Sequence, residues 1–138
     1  MKRTLTTSLL ATWLIAMTSL QANPGQKPQS GIATISANKP VVRAGETIRI
    51  AAAVVYDHDL NDRTPRVPLI GKVAYVEFTT LGTKKRIQVN PSNGIATYTF
   101  QVPRTTIVNR SYIVSGIVLE NSIVRASIQK SCQFRVQK

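Results

Sequence analysis

Residues 94–103 read G-I-A-T-Y-T-F-Q-V-P. Ala96, Tyr98, Phe100 and Val102 fall on one side of an extended backbone, and Thr97, Thr99 and Gln101 on the other. Successive side chains of a strand point to opposite faces, so this alternation predicts one face in a core and one in water. Asn93-Gly94 turns the chain into the strand, and Pro103 ends it because proline has no N–H to give the sheet ladder.

The flanking segments repeat the pattern. Residues 32–37 predict a short edge strand, broken by Asn38-Lys39-Pro40, with 41–43 as a second segment. Residues 47–56 alternate Ile48, Ile50, Ala52 and Val54 against Thr47, Arg49 and Ala51. A long connection over 57–72 holds Pro65, Pro68 and Gly71. Residues 73–80 turn Ala74, Val76 and Phe78 inward, and 84–89 do the same with Ile87 and Val89. Residues 110–120 place Tyr112, Val114, Gly116 and Val118 on one face. The last strand is predicted over 123–136, with Ile128, Cys132, Phe134 and Val136 in step and an irregularity near 124–127. After residue 22 no apolar run has a helical period. About seven short strands separated by Gly, Pro and Asn turns predict an all-β sandwich or barrel.

Residues 1–22 have the layout of a secretory leader: Lys2 and Arg3, an apolar run over 9–17, and a small, polar exit ending at Ala22. That run is far short of the ~20 residues a spanning helix needs, and no later run is longer. The expected organisation is a leader over 1–22, a flexible tether over 23–31 and one folded domain over 32–138. The expected destination is outside the cytoplasm, in the periplasm or beyond. Loss of Lys2 and Arg3 takes the formal charge from +12 to +10, an excess that favours polyanions. The single cysteine rules out an internal disulfide, so the domain rests on its packed core; Cys132 reads as a small hydrophobe in the last strand.

The order V-x-A-G-E-T-I-x-I at 42–50, V-P-L-I-G-K-V at 67–73, V-E-F at 76–78, N-G-I-A-T-Y-T-F-Q-V-P at 93–103 and Y-I-V-S-G-I-V at 112–118 resembles bacterial immunoglobulin-like domains. These are the modules of invasin- and intimin-type surface proteins, and filamin-like modules are similar. The resemblance covers about 32–138 and implies an immunoglobulin-like β-sandwich of about seven antiparallel strands. It also implies that the Tyr112 hydroxyl ties down the corner before its strand. Such modules usually stand in tandem on long surface proteins, whereas this sequence holds one copy; the likeness implies the fold and leaves adhesion open.

No arrangement for catalysis is legible. The lone His58 lies between Asp57 and Asp59, whose side chains point away from its own in an extended segment, and Ser111, Ser115 and Ser127 lack a glycine elbow. No catalytic residue, cofactor or metal site is assigned. Asp57, Asp59, Asn61 and Asp62 supply alternate oxygen ligands, but a helix–loop–helix calcium site needs glycine and glutamate where Asp62 and Pro68 stand. Arg63 and Arg66 are at hand to neutralise these carboxylates instead. Trp13 leaves with the leader, so a sugar-binding face would depend on Tyr56 and Tyr75. In a sandwich, successive connections alternate between its two ends. One end is therefore predicted to gather Lys39, Arg43, Lys84, Lys85, Arg104 and Arg110, with Glu46 the nearest acid. The expected partner is a protein or an envelope polyanion: lipopolysaccharide, teichoic acid or an acidic protein surface. Nucleic acid ranks below these because export separates it from the protein and no aromatic stacking set is present. A subunit of a secreted or pilus-like assembly docking by strand addition and a carbohydrate-binding module are the alternative readings.

Overall fold

The computed structural model describes residues 27–57 and 66–138. The segment read as leader, residues 23–26 of the tether, and the stretch from His58 to Pro65 lie outside the described residues. Nine strands follow in order: β1 (Ser30–Ala37), β2 (Val41–Arg43), β3 (Thr47–Tyr56), β4 (Val67–Pro68), β5 (Tyr75–Thr80), β6 (Thr83–Gln88), β7 (Ile95–Gln101), β8 (Arg110–Val118) and β9 (Lys130–Gln137). They form two sheets. In one, β3 is central, with β1 on one side and β7, followed by the two-residue β4, on the other. The second runs β2-β9-β8-β5-β6. All pairings are antiparallel except β2 with β9, which is parallel.

That exception has a local cause. The chain leaves the first sheet after Ala37, crosses at Asn38-Lys39-Pro40, and continues in the same direction along β9. Pro40 cannot donate, but its carbonyl accepts the Arg135 N–H at 2.9 Å. One strand direction thus serves two sheets.

The alternation of the sequence becomes the core. Ile48, Ile50, Ala52 and Val54 of β3 are buried, and so are Val76 and Phe78 of β5, Val114 and Val118 of β8, and Phe134 and Val136 of β9. Burying one such side chain is worth roughly 1.5–3 kcal/mol, and with no disulfide among the described residues this burial is the main cohesive force. Tyr98 and Phe100 of β7 reach across the gap. Tyr98 packs 5.6 Å from Phe78, Phe100 6.1 Å from Phe134, and Phe134 5.8 Å from Tyr112. Gly116 stands where space is short: a Cβ there would lie 3.2 Å from Ile35 Cδ1 of β1 and 3.4 Å from Val76. Gly94 holds φ at +73° in the turn before β7, with Leu69 backbone 3.1 Å from where a Cβ would be.

Among the described strands β7 pairs only with β3, so the stretch over 94–103 is a sheet edge. Alternation reports which face is buried and is blind to how many neighbours a strand has. The last strand is shorter than predicted, beginning at Lys130, and Ile128 is 82% exposed rather than part of the buried row. Side-chain hydrogen bonds replace the ladder before it. Asn121 Oδ1 accepts the N–H groups of Ile123 and Val124, and buried Ser127 Oγ accepts the N–H of Val118 at 2.8 Å.

The corner expected at Tyr112 is present. Its hydroxyl donates to the Ile107 carbonyl, five residues upstream, at 2.6 Å. Tyr112→Phe keeps the ring against Phe134 and deletes only this bond. We expect a loss of about 1 kcal/mol in urea unfolding with an unchanged m-value; no change in midpoint would show that the bond holds nothing.

Candidate functional site

The two sheets define two ends. One end carries the β2–β3 turn, the β5–β6 hairpin, the β7–β8 connection and the end of β9. Here Gly45 N–H donates to the Val102 carbonyl and Val102 N–H to Glu46, which lock the first and third of these together. Arg104 lies over Gly45, its Cγ 3.3 Å from where a Cβ would stand. By strand pairing, Lys39, Arg43, Lys84, Lys85, Arg104 and Arg110 all belong to this end. They make a rim rather than a pocket. Arg43 on β2 and Lys84 on β6 lie at opposite edges of a five-stranded sheet, on the order of 20 Å apart at ~4.8 Å per strand.

The same end gains cations that loop counting misses: Arg49 on β3, bonded through its backbone to Asn38, Arg135 on β9, and Lys138. Their signal was available, since Arg49 and Arg135 occupy exposed positions in alternating strands. They read as sheet-face residues because their distance from a strand end depends on pairing register.

Cations elsewhere are mostly engaged. Arg66 meets Asp57 at 3.3 Å and Lys27 meets Glu120 at 3.8 Å, both toward the opposite end. Lys72 lies over the Tyr56 ring and Arg86 over the Tyr75 ring, each under 6 Å from the centroid. Lys130 Nζ donates to the Ala33 carbonyl at 2.7 Å. By contrast, none of the six rim residues forms a salt bridge with a carboxylate of the described residues. Tyr56 and Tyr75, the candidates for a sugar platform, are half-buried and each is faced by a cation.

Asp57 is the one member of the acidic loop within the described residues, and it is held by Arg66. Asp59, Asn61, Asp62, Arg63 and His58 lie outside them. Among the described residues no three His, Cys, Asp or Glu side chains come together as a metal cage, and no helix is long and apolar enough to cross a membrane.

A small cleft opens on the flank of the same end. Its walls are Thr80, Leu81 and Thr83 of the β5–β6 hairpin and Tyr98, Phe100, Gln101 and Pro103 on and after β7, enclosing about 90 Å³. Small-molecule sites usually hold ~300–1,000 Å³, so this space suits a single side chain rather than a metabolite. Thr80 is 4% exposed, and its hydroxyl has no hydrogen-bond partner among the described residues. Leaving such a group unpaired costs roughly 1–3 kcal/mol.

Compared with known proteins, the chain matches no family model, no curated protein and no solved structure.

Cys132 is half-buried against the core, and burial pushes its thiol pKa up. A raised thiol pKa favours the folded state below the free-thiol range, and this contribution fades as pH rises through the folded value. At pH 8 we expect a disulfide reagent to label Cys132 at least several-fold more slowly than a free thiol, with full speed restored in urea. Equal rates in both conditions would mean that the thiol is not packed.

Proposed function

We propose that this chain is an exported, non-enzymatic binding or structural module of the bacterial cell envelope, built as an immunoglobulin-like sandwich of the invasin, intimin or filamin kind. The fold assignment draws support from two sheets sharing one core, from the strand that passes from one sheet to the other, and from the hydroxyl-to-carbonyl bond of Tyr112 at the corner before β8. The observation that carries the binding role is the asymmetry of charge pairing. Asp57 and Glu120 with their cations Arg66 and Lys27 lie toward one end, while the other holds Lys39, Arg43, Lys84, Lys85, Arg104 and Arg110 without carboxylate partners among the described residues.

A rim of this width meets a broad anionic surface better than a compact ligand: lipopolysaccharide, teichoic acid or an acidic protein face. Its field speeds encounter more than it deepens affinity, so binding should depend steeply on salt. The strands act as scaffold and recognition lies at the end loops or along an edge. The reading as a subunit of a secreted or pilus-like assembly keeps one specific support, the free edge of β7.

The test is chromatography of the full chain on immobilised heparin, a plain polyanionic probe. Changing Lys84, Lys85 and Arg104 together to Gln should move elution to clearly lower salt, while the same number of Lys/Arg→Gln changes at Lys27, Lys72 and Arg125 should move it less. Equal shifts would reduce the rim to net charge alone, and no shift would remove it from binding.

A further inference from the structure

The two sheets are unequal in width. Along most of its length the first is three strands across, β1-β3-β7, while the second is five, β2-β9-β8-β5-β6. β7 packs over β5 and the near side of β6, and among the described residues no strand lies beyond it. The inward positions of β6, Thr83, Lys85 and Ile87, pair with Thr80, Phe78 and Val76 and should face a core. Instead Thr83 and Lys85 are exposed and Ile87 is half-buried. One strand's width of inner sheet is uncovered.

The edge that borders this vacancy is also the one left unguarded. β1 carries a bulge between Ile32 and Thr34, and Lys130 occupies its Ala33 carbonyl. β2 has only three residues and follows Pro40. β6 reads T-K-K-R-I-Q, three consecutive cations that discourage pairing. β7 reads I-A-T-Y-T-F-Q, with neither charge nor proline. Its bonding parity follows from its ends. Val54 N–H donates to Gly94 and Val102 N–H to Glu46, so Ala96, Tyr98 and Phe100 turn their backbone groups toward β3. Thr97 and Thr99 therefore present theirs to the open side. Ile95 does not, since Asn93 Oδ1 takes its N–H and the Asn90 N–H its carbonyl.

Resting on the binding-module reading and deepening it, we propose that β7 accepts an added strand from an acidic protein partner, and that this strand fills the vacancy opposite β6. The vacancy itself specifies the partner's chemistry. A strand beside β7 sends alternate side chains inward. Near the hairpin they meet the cleft of Leu81, Tyr98 and Phe100 and take an apolar residue, with the unpaired Thr80 hydroxyl at its wall. Next to it they meet Lys85, which calls for a carboxylate. The occupant is thus an extended segment alternating small polar and apolar residues, with one acid on the apolar side. A second copy of this chain does not fit: among its described strands the one acid is Glu77, in the interior strand β5, and two copies would bring Lys84, Lys85 and Arg86 together.

The probe is a capped peptide in which Val and Thr alternate and one central Val is replaced by Glu. Its far edge is N-methylated so that it cannot stack on itself, and a Lys-centred twin is the control. Calorimetry on the full chain should show the Glu peptide binding at least ten-fold tighter than its twin. Lys85→Glu should invert that preference. Thr99→Pro removes an N–H that β3 does not use and should weaken the Glu peptide ten-fold or more. Should Thr99→Pro prevent folding, the inversion at exposed Lys85 carries the test alone. Absence of binding by either peptide, or binding indifferent to both changes, would overturn the proposal. So would a dimer in sedimentation that Thr99→Pro dissolves, because the occupant would then be a second copy. Heparin elution of the unaltered chain separates the two claims: retained salt-dependent binding without peptide binding sinks the strand site and leaves the module, and loss of both sinks each, while Thr99→Pro should elute with the unaltered chain.

Discussion

β3 is the strand on which the others depend. It pairs on both sides, with β1 along one edge and with β7 and β4 along the other, and its inner row of Ile48, Ile50, Ala52 and Val54 is fully buried. Without a disulfide to limit the unfolded chain, the domain is held by the contact of that row with the inner rows of β5, β8 and β9. The aromatic line from Phe78 through Tyr98 and Phe100 to Phe134 and Tyr112 fastens the two layers at the β7 side. Packing of this sort resists shrinkage: Phe134 and Phe78 are fully buried, and trimming either to Ala would leave a void, a change that costs ~3–5 kcal/mol.

That core leaves the surface free to be uneven. The first sheet covers β9, β8 and β5, then stops, and β6 extends past it with Lys84, Lys85 and Arg86 in water. Cations pointing along an edge keep that edge from pairing, which accounts for β6 remaining single while next to an open flank. β7 has no equivalent device. The end loops and the β7 flank meet at the cleft below Pro103, so a partner drawn by the rim arrives beside the unguarded edge. Charge and backbone then act in sequence, the first speeding encounter and the second giving register.

Much of the framework was legible because period-two alternation is a direct consequence of burial. Residues 47–50 show it before the run turns apolar throughout, and 47–56 form β3 with the bounds expected. The corner at Tyr112 was legible through a resemblance and has the bond that resemblance implied. What alternation could not reveal is adjacency. Tyr98 and Phe100 alternate as well as Ile48 and Ile50 do, yet one strand is an edge and the other a centre. Ile87 looked buried on the same grounds, and it is half-buried because no described strand lies across from it. Ile128 kept step with Phe134, but Asn121 and Ser127 offered side-chain partners to the backbone and the ladder began later. The cationic end was legible from the order of connections, whereas Arg49 and Arg135 join it only through register.

The central claim is that β7 is well paired to β3 on one side and open on the other. Residue-resolved amide exchange by NMR tests it directly. Tyr98 and Phe100 should exchange slowly, near the rate set by global unfolding, while Thr97 and Thr99 between them exchange orders of magnitude faster. Uniform protection along 96–100 would mean that a neighbour already covers the outer side, and uniformly fast exchange would mean that the strand is not held at all; either contradicts the account.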